Sequence, residues 1–134
     1  MIEEADIRVG NLVWYYNLYL IETSFKVEGV LEGFIYCTSL PKNKLPLDKV
    51  NPVVLEADHL IGFGYVKGDK DYGEDENVFS YKYTHKDSLY LRDDGYSFQL
   101  LTECPGGLVP YGRPIVHVHQ LQNLHYYLTR EELI

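Results

Sequence analysis

The sequence predicts an α+β fold of antiparallel strands: an N-terminal curled, SH3-like sheet and a central three-stranded meander. These are packed with a short middle helix and a C-terminal amphipathic helix. Three observations predict it. Apolar side chains alternate at period two from Ile21 to Val27 and again from Phe79 to Leu100, the signature of half-buried strands. Thirteen tyrosines bias the chain further towards pleated structure, where aromatic side chains sit well. Near the C-terminus the spacing becomes helical, with Val118, Leu121, Leu124, His125 and Leu128 on one face.

Arg8-Val9-Gly10-Asn11 is a turn leading into the apolar run Leu12 to Tyr16. From Ile21 the alternation puts Thr23, Phe25 and Val27 inward and Glu22, Ser24, Lys26 and Glu28 outward. Gly29 and Gly33 bracket a turn before a strand at Phe34 to Thr38, and Pro41 to Pro52 reads as a loop. A short helix is expected within Leu55 to Gly64, with acidic residues in its first turn and Gly64 past its end; Tyr65 supplies the closing apolar contact.

Gly68 to Asn77 is a charged loop. Counted from Asp69 as an EF-hand, positions 6 and 12 hold Glu74 and Ser80 instead of the required Gly and Glu, so a calcium reading fails. In the meander, an Asp94-Gly95 turn of the I′ kind pairs Leu91 with Phe98 and Leu89 with Leu100. Keeping Tyr81 and Tyr83 on that face pairs them with Leu91 and Leu89, which needs an odd-length connection around His85 to Asp87. Cys104 to Pro114 reads as a Pro/Gly loop without phosphate-cradling spacing. The last helix spans about His119 to Leu128, and Thr129 to Glu132 reads as a capping box that restarts one more turn.

At 134 residues the chain, 1–134, is expected to form a single domain able to hold a core without metal or disulfide. Net charge −8, with arginine only at Arg8, Arg92, Arg113 and Arg130, disfavours nucleic acid as a partner. The acidic start lacks a signal-peptide pattern, and the run Leu12 to Ile21 is too short to span a bilayer. Cys37 and Cys104 form no CxxC pair, so the expectation is a cytoplasmic protein with reduced thiols and no membrane partner.

Val118 to Leu124, followed by Leu128-Thr129 and Glu131-Glu132-Leu133, resembles the tail VHQLQNLYFALTGEEL of a family of small uncharacterised proteins of Bacteroidetes and their phages or mobile elements. Ile7 to Asn11 is similar to that family's LRIGN opening, and Leu55 to Tyr65 to its LTEEWLLKFGF segment. His117, His59 and His125 stand where the family has aromatics, and Arg130 where it has Gly. The resemblance implies a fold and a bacterial or phage source. It carries no activity, and it argues against chemistry based on those histidines.

His119, Asn123 and Tyr126 recur at helical spacing as a polar stripe, read either as a binding surface or as structural groups bonding backbone between helix and sheet. No catalytic residue, cofactor or metal ligand set is expected: His117, His119 and His125 lack a partner carboxylate or Cys at ligand spacing. The first expectation is a non-enzymatic protein-binding or accessory module, with Tyr15, Tyr16, Tyr19 and Tyr90 as tyrosines for an exposed contact surface. The alternatives are a small hydrolase or metal-dependent enzyme using His117, His119 or Cys104, and an acidic nucleic-acid mimic.

Overall fold

The computed structural model describes residues 2–67, 79–83 and 89–133. The conformations expected of Gly68 to Asn77 and of His85 to Asp87 fall outside the described residues. The fold is α+β with antiparallel sheets, and the chain divides into two compact units, Met1–Val54 with His117–Ile134 and Leu55–Val116.

In the first unit β1 (Leu12–Tyr16) pairs with β2 (Glu22–Lys26) and with β6 (Asn51–Pro52). A second sheet holds β3 (Gly29–Leu31), β4 (Phe34–Tyr36) and β5 (Lys44–Pro46) in that order. Val27 and Glu28 form the bend between β2 and β3, and a single 3-10 turn at Leu47–Lys49 leads into β6. The first unit thus holds two three-stranded antiparallel sheets. Alternation places Val13, Tyr15, Phe25 and Val27 in a core with Ile2, Ile7, Ile35, Cys37, Leu40 and Val50. Ile21, assigned inward by the alternation, is exposed, because β2 starts one residue later and Ile21 belongs to the hairpin loop.

Two stretches read as turn or loop contain strands. Gly29 opens β3, and the turn is Glu32-Gly33 alone, both left-handed with φ of 51° and 78° as a I′ hairpin requires. Pro41 to Pro52 holds β5 and β6, with 3-10 turns at Pro41–Asn43 and Leu47–Lys49. Strands of two or three residues carry no readable period, and both are sheet edges, where Pro46 and Pro52 cost no ladder bond.

The second unit is built on a five-stranded antiparallel sheet ordered β11-β10-β9-β8-β7, where the meander alone was expected. Its strands are β7 (Tyr65–Lys67), β8 (Phe79–Tyr83), β9 (Leu89–Asp93), β10 (Phe98–Cys104) and β11 (Gly107–Ile115). Tyr81 pairs with Leu91 as the odd connection demanded. The other hairpin is offset by two residues from expectation: Leu91 pairs with Leu100, and Phe98 with Asp93. The cause lies in the turn. Asp94 N donates to Ser97 O at 2.9 Å, so Gly95-Tyr96 is its centre, with Gly95 at φ 94° in the first central position of a II′ turn. Asp93 Oδ1 accepts from Gly95 N at 2.8 Å, and Arg92 Nε donates to Asp94 Oδ1 at 2.7 Å. A shift of two keeps every side chain on its expected face.

The Pro/Gly stretch after Cys104 is not a loop but β11, turning at Pro105-Gly106, with Pro110 and Pro114 tolerated on an edge strand. Its register shifts opposite Gln99, whose buried Nε2 donates to Tyr111 O and Gly112 O at 3.2 and 3.3 Å and satisfies the bulge. The middle helix, α1 (Ala57–Gly62), is capped as expected by Gly64 at φ 100°, and the following Tyr65 is buried. At its start His59 Nδ1 accepts the Glu56 N–H at 3.0 Å.

The C-terminal helix, α2 (Val118–Thr129), lies in the first unit and touches β1. The strands from Ile21 onward and those from Phe79 to Leu100 belong to separate sheets. The buried face of α2 is Val118, His119, Leu121, Gln122 and His125, while Leu124 and Leu128 are half-buried. No further turn follows. Thr129 Oγ1 donates to His125 O at 2.8 Å and accepts from Glu131 N at 3.1 Å, and Arg130 ends the helix in the left-handed region at φ 61°. A side chain there costs energy that glycine avoids, so Arg130→Gly is expected to stabilise by about 0.5–1 kcal/mol. Urea unfolding of the variant checks it; a lower midpoint would show that Arg130 holds the tail.

Candidate functional site

The polar stripe of α2 divides in two. Asn123 and Tyr126 gather around Arg8, which the N-terminal turn projects towards the helix. Asn123 Oδ1 accepts from Asn11 Nδ2 at 2.8 Å and Arg8 Nε at 3.2 Å, while its Nδ2 donates to Asp6 O at 2.8 Å. The Arg8 guanidinium lies 4.2 Å from the Tyr126 ring centroid and bonds both carboxylate oxygens of Glu132. Beneath them is Gln122, a residue sequence reasoning passed over. Its Oε1 accepts from Leu12 N at 2.9 Å, and its Nε2 donates to Gly10 O and Leu133 O, both at 3.1 Å. This arrangement has its bonds directed inward, at the backbone of the N-terminal turn and the C-terminal tail. It fastens chain ends together.

His119 stands apart from Asn123 and Tyr126. It is buried, stacks on His117 with ring centroids 5.8 Å apart, and its Nδ1 has no hydrogen-bond partner among the described residues. Burial, reinforced by the neighbouring His117 and partly opposed by Asp6, lowers its pKa to about 4. Burial also lowers the pKa of His117, whose backbone N–H is accepted by Gln120 Oε1 at 3.0 Å at the start of α2. The side chain of Cys104 falls outside the described residues. Among the described residues, no group of three or more His, Cys, Asp or Glu is arranged to hold a metal ion. Cys37 is buried and its Sγ lies 3.2 Å from Glu28 Oε1; that bond, then those from Thr38, lowers the Glu28 pKa.

Among the described residues, the tip of the β1–β2 hairpin is a surface that faces water with unusual chemistry. Leu18, Tyr19 and Leu20 are 90%, 83% and 80% exposed, flanked by exposed Tyr16 and Ile21. Hairpin tips normally carry polar turn formers. Here only Asn17 does that work: its Oδ1 accepts from Tyr19 N at 2.8 Å and Ile21 N at 3.1 Å, and its O accepts from Leu20 N at 2.9 Å. Leu20 is held at φ 59°, a conformation bulky residues seldom adopt, so the loop is specified by its bonds at the expense of local comfort. On the outward side of β1, Trp14 and Tyr16 meet edge to face at 4.9 Å, and Trp14 Nε1 donates to Pro52 O at 3.0 Å. Of the tyrosines proposed for a contact surface, Tyr16 and Tyr19 are exposed, whereas Tyr15 and Tyr90 are buried. The signal for the tip was present in the sequence, where Leu18 to Ile21 interrupts the strand alternation just after Asn17.

No helix of the described residues is long and apolar enough to cross a membrane. No protein-family model, curated protein or solved structure matches the chain.

Proposed function

We propose that this chain is a non-enzymatic protein-binding module, a cytoplasmic accessory protein of a bacterium or phage. The observation that carries the reading is the hairpin tip, where Tyr16, Leu18, Tyr19, Leu20 and Ile21 stand together in water. Exposed apolar side chains gathered at one place mark interaction sites, whereas scattered single ones do not. The inward-directed bonds of Asn123, Tyr126 and Gln122 support a structural role for the helix stripe and leave recognition to the hairpin.

The test is retention of host proteins on the immobilised chain, compared with a Leu18→Ser/Leu20→Ser variant. Both leucines are exposed, so the variant is expected to keep its circular dichroism spectrum and melting temperature. Burying two leucines at an interface contributes about 3–5 kcal/mol, so binding of a retained protein should weaken by roughly 100-fold or more. Retention of no host protein, or equal retention by both forms, would count against the reading.

A further inference from the structure

Resting on the protein-binding reading, we propose that the hairpin tip docks as a preformed knob in an apolar cleft of another protein, and that the cleft is rimmed by lysine and arginine. The knob is preformed because Asn17 fixes the backbone at Tyr19, Leu20 and Ile21, and Leu20 already occupies its left-handed conformation. Little ordering is left to be done on binding, which is the cost that most often erodes affinity. The tip is convex and carries no charge from Asn17 to Ile21, so its complement is a concave apolar surface.

Charge and area select the occupant. With a net charge of −8 the chain is repelled by a second copy of itself, by anionic lipid headgroups and by nucleic acid. A symmetric contact between two such tips would join only a few side chains on each side, against the roughly 20–30 residues a side of a stable interface. A cleft instead surrounds Leu18, Tyr19 and Leu20 on several sides and buries each of them fully. Basic residues at its rim meet Glu22, which begins β2 directly opposite Tyr16, and are steered by the field of the whole acidic chain.

The experiment places a photo-cross-linking amino acid at the tip, Tyr19→p-benzoylphenylalanine, in the full chain, irradiates it in an extract of the source organism, and maps the cross-linked peptide. The captured protein is then purified and titrated with the unmodified chain at about 50 and about 500 mM NaCl, where screening lengths differ several-fold. We expect a cross-link within an apolar cleft bordered by Lys or Arg. Association should slow by about tenfold or more at the higher salt. Affinity should fall by roughly 100-fold for Leu18→Ser/Leu20→Ser. Asn17→Ala, which keeps every apolar side chain but frees the loop, should weaken binding by about tenfold. A cross-link to a flat or acidic protein surface, or association indifferent to salt, overturns the cleft proposal while leaving protein binding intact. Cross-linking only to lipid, to a second copy of the chain, or to nothing overturns both.

Discussion

Replacing Gln122 by methionine is expected to destabilise the first unit by about 3–5 kcal/mol, because it leaves three backbone groups without partners at nearly constant side-chain volume. Those groups are the Leu12 N–H and the carbonyls of Gly10 and Leu133, and Gln122 itself is only 1% exposed. Buried groups denied a partner cost far more than an ordinary hydrogen bond contributes. Asn123→Ala, at a half-buried position, is expected to cost less, about 1–2 kcal/mol. Equilibrium urea unfolding of both variants measures the difference. A Gln122→Met loss below about 1 kcal/mol would mean that water reaches those backbone groups and that the amide is dispensable.

Acidification from pH 7 towards pH 4 is expected to remove up to about 3 kcal/mol through His119 alone. The folded pKa is about 4, lowered mainly by burial, against an ordinary value of 6.5. Between those values the unfolded chain takes up a proton that the folded chain refuses. The stabilising contribution is therefore complete above about pH 6.5, declines as the pH falls, and is gone below about pH 4. The groups acting on His119 are His117, which opposes its protonation further, and Asp6, which favours it. The upper half of the window lies above the usual carboxylate range, so the slope there is separable from acid titration of Asp and Glu. His119→Phe is expected to flatten the stability profile between about pH 5 and pH 6.5 and to be well tolerated at neutral pH, because the buried Nδ1 has no bond to lose. An unchanged slope in the variant would assign the effect to other groups.

The legible parts of this fold were those where one side chain in two had to be apolar for several residues. Thr23, Phe25 and Val27 disclosed the inner face of β2, and Tyr81 opposite Leu91 disclosed the register of β8 on β9. Where a strand is only two or three residues long, as in β3, β5 and β6, there is no period to detect, and a proline or glycine dominates the reading. The β9–β10 offset shows another limit. Asp94-Gly95 is a strong turn signal, yet the side-chain bonds of Asp93 and Asp94 centre the turn one residue later, and composition alone does not rank those two solutions.

The helix shows why the site was only half visible. Counting apolar positions assigned Leu124 and Leu128 to the buried face and passed over Gln122. The helix is turned instead so that Gln122 points at the start of β1, since an amide that satisfies Leu12, Gly10 and Leu133 is worth more in the interior than two further half-buried leucines. That preference is invisible until the strand and the chain tail are in place. At the hairpin tip Tyr16 and Tyr19 were singled out by residue type, whereas Leu18 and Leu20 were passed over because they continue an apolar run, and apolar runs are read as interior.

The chain leaves the first unit at Val54 and rejoins it at His117, and these two residues bridge one another while Val118 N donates to Val53 O at 2.8 Å. The first unit is therefore discontinuous in sequence, and the Gln122 bonds to Leu12 N and Gly10 O join positions 110 and 112 residues apart. Leu55 to Val116 is continuous, so its closure needs no such distant partner, and the first unit is expected to be the slower of the two to fold.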